Sequence, residues 1–333
     1  MITSVSAALS RVKKALAAYP ELAAVLVAAI VGLSVQRPLA WLAARQGIDV
    51  LLAILVFATA VTIDPAALRR AGAAWRHLLA AVAVGITVLP ALSWAAARLV
   101  APGPLRDGVL TVGLAPCEIA SVATTALAGG EAAVAAGVLI GSTLATVALA
   151  GPILTLEAGA ASSRAALSPA GIMASLALIV ALPLAVGLAA RAVAGTGSPV
   201  VRLLATPRAQ SAASLTALIS VAALVALVAS EVHLTASYAA VAAALVLFLL
   251  ASALVGRALG ARTTRPARAG LLLTTSMRDF AIAAGLATAA FGPAAAAPLG
   301  LYGIAVLIWG VALAGALRHR TRSGNPPSAC ELA

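Results

Sequence analysis

The sequence predicts an all-α integral membrane protein with ten transmembrane helices, two inverted five-helix repeats and a broken fourth and ninth helix. Three observations predict it: the composition, the number and spacing of apolar runs, and matching interruptions in two of those runs. Of 333 residues, 63% are hydrophobic and only 10% are charged, and the mean hydropathy is +1.09. A soluble domain is about 45–50% apolar and about 25% charged, so an ordinary soluble globule is excluded. Disorder is excluded too, because it requires low hydrophobicity. At about 20 residues per span, roughly 210 apolar residues allow up to about ten spans. Aromatics make up 3%; Ala, Val and Leu carry the hydrophobicity, and small residues let membrane helices approach closely.

The chain starts with an amphipathic basic stretch, MITSVSAALSRVKKALAAYPE. No small-residue cleavage site follows it, so the first apolar run reads as a retained helix and not as a signal peptide. The runs fall at 22–36, 48–63, 78–100, 108–128, 132–155, 170–194, 212–230, 235–256, 267–291 and 294–316. The first two are short and can span if flanking residues snorkel or the bilayer thins locally. Pro90 and Pro183 predict kinks in the third and sixth runs. In the fifth, Gly141-Ser142-Thr143 and Gly151-Pro152 read as close packing and a kink, and Glu131 as an acid at a helix N-terminus. The tail 318–333 is the longest polar stretch and reads as a flexible cytoplasmic tail.

The net charge of +12 would point to nucleic acid on a soluble protein. Here its position matters more, because Lys and Arg excess marks cytoplasmic loops. With ten spans and a cytoplasmic N-terminus, sixteen of the basic residues lie inside. Five lie outside: Arg37, Arg45, Arg98, Arg106 and Arg164. Arg278 remains, within an apolar run. The split supports ten spans with both termini cytoplasmic, and no nucleic-acid partner.

The fourth run holds Pro116 and Glu118 near its middle, and the ninth holds Arg278 and Asp279. Each polar centre is followed by a small-residue helix and then a glycine turn, Gly129-Gly130 or Gly292-Pro293. Setting Glu118 against Asp279 brings these turns into register, and five spans separate the two. An odd separation inverts the second copy, the pattern of secondary transporters with discontinuous helices.

A charge at the bilayer centre costs at least about 2.5–3.5 kcal/mol. Arg278 reads as the positive group for an anionic substrate, with Asp279 and Glu118 as partners, cation ligands or proton carriers. The structural alternative is a buried Arg–Glu pair that only locks two crossings together. Glu118 also suits the N-terminus of a half-helix. Ser121, Thr124 and Thr125 after the first break, and Thr274, Thr275 and Ser276 before the second, offer hydroxyls. In helices such hydroxyls more often bond back to their own backbone. Cys117 is a soft thiol that could bind a metalloid, though a buried Cys is usually a small hydrophobe. Cys117 and Cys330 cannot make a disulfide framework. His77, His233 and His319 have no metal-ligand partner in the sequence. No Walker loop, HExxH or G-x-S-x-G occurs, so neither an ATP-driven pump nor an enzyme is expected.

The chain resembles the bile acid:sodium symporter family, with ten spans as in its bacterial members. The resemblance is carried by APCEIASVATTALAGGEAAVAAGVLIGSTLATVALAGPIL, by SMRDFAIAAGLATAAFGPAAAAP, by TVLPALSW and by the IDPAALRR turn. It implies a single transporter domain. The core would be helices 3–5 and 8–10, about 78–155 and 235–316. The panel would be helices 1, 2, 6 and 7, about 22–63 and 170–230. Helices 4 and 9 would cross. The substrates would be small organic anions moved by alternating access.

Carried over residue by residue, the family's sodium ligands are mostly missing. A Ser-Asn pair becomes Ser121-Val122, a Ser and a Thr on helix 5 become Ala135 and Leu139, and a Gln on helix 3 becomes Gly85. A Glu on helix 9 becomes Thr274, and a Gln-Asn pair becomes Arg278-Asp279. Hard cations want several oxygen ligands. The coupling ion is thus sodium by family and a proton by residues. The substrate-binding set is Arg278, Asp279, Glu118, Ser121, Thr125 and Ser276. The ion-coupling set is Glu118, Asp279, Ser121, Thr274 and Met277. No cofactor or metal is expected. The Ala- and Arg-rich composition is associated with GC-rich bacterial genomes, hence with an inner membrane. An arsenite-type efflux carrier of the same superfamily, using Cys117, is the alternative.

Overall fold

The computed structural model describes residues 20–63, 75–159, 168–193, 206–230 and 236–323. The basic N-terminal stretch, most of the IDPAALRR turn, His233, Cys330 and residues 324–333 of the tail lie outside them. All regular elements among the described residues are helical. In chain order they begin with α1 (Pro20–Ser34), α2 (Gln36–Leu42), a π-turn at Ala43–Gly47 and α3 (Ile48–Thr62). Next come α4 (Trp75–Ala97), α5 (Pro104–Leu114), α6 (Ala120–Leu127) and α7 (Ala132–Gly159). A second π-turn at Ala177–Ala181 separates α8 (Pro169–Leu176) from α9 (Leu182–Val193), and α10 (Pro207–Ser230) follows. The last four are α11 (Ser237–Leu259), α12 (Arg265–Ser276), α13 (Phe280–Phe291) and α14 (Ala297–Ser323). Seven segments are long and apolar enough to cross a membrane.

Of the prolines expected to kink their helices, two sit inside unbroken ones. α4 runs through Pro90 and α7 through Pro152 as single helices. The sixth run is interrupted by the π-turn that ends just before Pro183, since a proline cannot donate to the turn behind it.

Both broken helices have a local cause. In the first, the residue before a proline is pushed out of the helical region. Ala115 accordingly has φ −63° and ψ 152°, and α5 ends there. In the second, Asp279 is an N-cap. Its Oδ1 accepts from the N–H groups of Ala281 and Ile282, both at 2.9 Å, which starts α13 afresh. Each second half ends at a left-handed glycine, Gly129 (φ 72°) and Gly292 (φ 91°), a conformation in which glycine carries no Cβ penalty.

Packing falls into two groups. α10 packs along α1 and α3, and α9 packs on α3. Separately, α4 packs against α5, α7 and α11, while α11 also packs on α12 and α5 on α13. Small residues set the approach. A Cβ on Gly187 of α9 would stand 2.6 Å from the Ala60 Cβ and 2.9 Å from the Phe57 carbonyl oxygen of α3. Neither neighbour can move aside without moving a helix. Gly187→Leu should therefore lower the melting temperature of the detergent-solubilised protein by several degrees. Gly171→Ala, whose added methyl meets only ordinary contacts at 3.5 Å and beyond, should leave it within about 1 °C.

Candidate functional site

The two breaks meet inside the protein. Residues 115–119 and 277–279 run antiparallel and form an isolated bridge between Cys117 and Arg278. Glu118 N–H donates to the Met277 carbonyl at 2.8 Å, and Asp279 N–H donates to the Pro116 carbonyl at 2.9 Å. The other two exposed donors find side chains. Cys117 N–H donates to Ser142 Oγ of α7 at 3.1 Å, and Arg278 N–H donates to Tyr302 Oη of α14 at 3.1 Å. Pro116 has no N–H to satisfy. Every amide donor of Cys117, Glu118, Arg278 and Asp279 therefore has a partner, as an apolar surround requires.

The carbonyls at the end of α5 are also engaged. Thr146 donates to Leu114 O at 2.9 Å, and the Arg278 guanidinium donates through Nη2 to Ala115 O. Arg278 is 2% exposed, Asp279 1% and Glu118 4%. The guanidinium lies against α4, where its two terminal nitrogens are 3.6 Å from the place a Cβ on Gly85 would occupy. Its hydrogen bond goes to a backbone carbonyl and not to a carboxylate. Arg278 Nε and Asp279 Oδ2 have no hydrogen-bond partner. The Arg–Glu lock considered from sequence is not what holds the crossing together. Backbone hydrogen bonds do that.

Glu118 differs from Asp279. Its Oε2 accepts from Phe280 N–H at the start of α13, at 3.4 Å, and its carboxylate also faces the N–H groups of Ile119 and Ala120 at the start of α6. It also lines a cavity of about 430 Å3 bounded by α3, α6, α7, α10 and Leu307 of α14. The walls are mostly Ala, Leu, Ile and Val, with Thr59, Thr62 and Ser214 as the neutral polar groups. Among the described lining residues, Glu118 alone is ionisable. A volume in this range suits a small ligand with an apolar body.

The other residues singled out from sequence divide as follows. Arg278, Asp279, Ser121, Thr125 and Ser276 lie at or beside the crossing but do not line this cavity. Thr124 and Thr274 bond back to Ala120 O at 2.7 Å and Gly270 O at 2.8 Å. Thr125 and Thr275 Oγ1 are buried without a hydrogen-bond partner. Ser121 turns its hydroxyl toward the Cys117 sulfur and has no oxygen or nitrogen partner. Ser276 Oγ accepts from Trp309 Nε1 at 3.3 Å. Met277 contributes its carbonyl to the bridge, while its thioether end packs where α14 has Gly310.

Sequence reasoning missed Tyr302, and it read Ser142 as packing. Both are acceptors for amides at the breaks. The spacing could have found them: Ser142 lies 25 residues after Cys117, and Tyr302 lies 24 after Arg278. Cys117 is fully buried and lies outside the cavity. No group of His, Cys, Asp or Glu among the described residues could hold a metal ion.

The bridge predicts two matched losses. Tyr302→Phe and Ser142→Ala each leave a buried amide without an acceptor, at a cost of about 1–3 kcal/mol. Thermal unfolding should show both variants clearly destabilised. Thr216→Ala, at an exposed hydroxyl that only bonds back to Ala212 O, should be near neutral.

The family model described as the Sodium Bile acid symporter family matches residues 49–240, more than half of the chain. No curated protein matches the chain in sequence. The matched span takes in the first break, Glu118, Ser142 and most of the cavity wall.

Proposed function

The chain belongs to the Sodium Bile acid symporter family, and from that premise we propose a proton-coupled secondary carrier of a small organic anion. It is a multi-pass membrane protein of a transporter family. In the proposed arrangement it has ten spans. The helices at 20–34 and the two broken pairs, α5/α6 and α12/α13, complete the seven long ones, and the halves are inverted repeats. α1–α3, α8–α9 and α10 form the panel, and the remaining helices form the core. The termini are cytoplasmic and the membrane is the inner one. The protein is a carrier and not an enzyme.

The observation that carries the reading is the apolar cavity in which Glu118 is, among the described lining residues, the one ionisable group. The N-terminal residues of α6, Ile119 and Ala120, share that wall. A half-helix N-terminus favours an anion; an ionised Glu118 beside it does not. The charged and titratable groups that act on Glu118 are Asp279 of the other crossing and Tyr302 of α14, with Cys117 next to it in sequence and Arg278 acting on Asp279. When Glu118 is protonated, Arg278 and Asp279 offset each other and the helix termini leave the site receptive to an anion. When it is ionised, the site repels one. Anion and proton therefore bind together. This also removes the cost of moving one negative charge inward against about 100 mV, about 2.3 kcal/mol.

Two cavities support alternating access. The large one lies by Thr59, Thr62 and Ile63, Ser214 and Ala132, which are cytoplasmic ends in the proposed topology. On the other side of the crossing, α3, α8 and α13 meet around a space of only about 10 Å3, lined by Asp49, Leu52, Ile172 and Gly285 among others. The conformation is then open to the cytoplasm and closed outside.

Proteoliposomes loaded with a sodium gradient, a proton gradient or neither test the reading with radiolabelled aliphatic and aromatic carboxylates. Uptake should follow the proton gradient. Glu118→Gln should abolish that stimulation while leaving exchange of external for internal substrate. Loss of both, or uptake that ignores the proton gradient, refutes the role of Glu118. In a Cys117→Ser, Cys330→Ser background, cross-linking Leu52→Cys to Gly285→Cys should stop uptake, and reduction should restore it.

A further inference from the structure

We propose that Arg278 is a tethered cation, which permanently fills the cation seat at the broken end of α5, and that transport therefore proceeds without sodium. In carriers built on broken helices, half-helix C-termini and unwound carbonyls are where a coupling cation binds. Here that end is already occupied by the protein's own donors. Leu114 O accepts from Thr146, Ala115 O from the Arg278 guanidinium and Pro116 O from the Asp279 amide.

The guanidinium also packs on α4. Gly85 of α4 presents no side chain, and the terminal nitrogens lie at ordinary contact distance from where its Cβ would stand. Arg278 is nine-tenths or more buried, so its charge is not dispersed into water. Asp279 follows in sequence, and its Oδ2 is uncommitted.

The remaining donors do not suit a free ion. A hard cation needs about six oxygens. Val122, Ala135, Leu139 and Gly85 offer no side-chain oxygen, and Thr274 is committed to Gly270 O. Any sodium ion placed here would sit beside a fixed positive charge. The disagreement between a sodium-coupled family and this donor set is resolved if the positive charge is covalent. It then moves with the helices and never exchanges with solvent.

This inference deepens the transport reading and rests on it only where uptake is the readout; thermal unfolding of the purified full-length chain tests it without transport. Wild-type protein should melt within about 1 °C in sodium chloride and in choline chloride of equal strength. Arg278→Ala should melt at least roughly 5 °C lower. Methylguanidinium at about 10 mM should restore much of that loss, and methylurea, its neutral analogue, should not. Arg278→Lys, which keeps the charge, should fall between the two and decides the matter if the alanine variant does not fold.

Selective stabilisation of wild type by sodium, or an Arg278→Ala protein that melts like wild type, overturns the proposal. So does rescue by methylurea as well as by methylguanidinium. In proteoliposomes, uptake should be unchanged when choline replaces sodium on both sides. Sodium-stimulated uptake would overturn the tethered cation and leave the carrier reading in place. Absence of uptake under every gradient would refute the carrier reading, and the melting comparisons would still decide the role of Arg278.

Discussion

Two backbone hydrogen bonds constrain the rest of the structure: Glu118 N–H to Met277 O, and Asp279 N–H to Pro116 O. A helix interrupted within an apolar layer exposes amides and carbonyls, and each unpaired one costs several kcal/mol. Neither break satisfies itself. Placed antiparallel, each supplies the donor and acceptor that the other lacks, and Ser142 and Tyr302 take the two amides left over. The breaks are thus interdependent. Their pairing is also what gathers Cys117, Glu118, Arg278 and Asp279 from positions 160 residues apart into one place.

That gathering separates charge by role. The Arg278 guanidinium turns toward α5 and α4, away from the cavity wall. Asp279 uses one oxygen to start α13. Glu118 alone reaches the cavity while remaining bonded to Phe280 N–H. Each buried charge costs at least about 2.5–3.5 kcal/mol on insertion scales, so three within one crossing need strong compensation. The arginine has a helix C-terminus and an adjacent acid, and the acids have a helix N-terminus. The compensation comes mainly from backbone dipoles, which the breaks make available.

Much of this was legible in the sequence where a residue type has one physical consequence. Pro116 forbids a continuous helix, and glycines at 129 and 292 permit the left-handed turns. A polar cluster in each apolar run marks a break. Arg278 was legible as a buried charge at a break, but its direction was not. Side-chain spacing along one helix says nothing about the helix that crosses it, so an arginine that serves a backbone carbonyl reads the same as one that faces a substrate. Thr59, Thr62 and Ser214 were illegible for a related reason. They are ordinary hydroxyl residues in apolar helices, and they gain meaning only because α3 and α10 stand across the cavity from α6. Tyr302 and Ser142 matter through their acceptor oxygens, which composition and hydropathy ignore.

Coupling requires that the substrate bind more tightly in one protonation state of the carrier than in the other, and the size of that difference sets how tightly the two fluxes are tied. Removing one negative charge about 4 Å from an anion changes its binding by about 4 kcal/mol at an effective dielectric of 20, close to a thousandfold. A quarter of that is still about fivefold. One carboxyl at the cavity wall is therefore enough to bind a proton and an anion in concert, with no further ion site. In the proposed cycle Arg278 does not supply this linkage, because its charge stays the same throughout. In that proposed cycle, a fixed cation and a titrating acid, held in register by the same pair of backbone hydrogen bonds, take the place of an exchangeable cation.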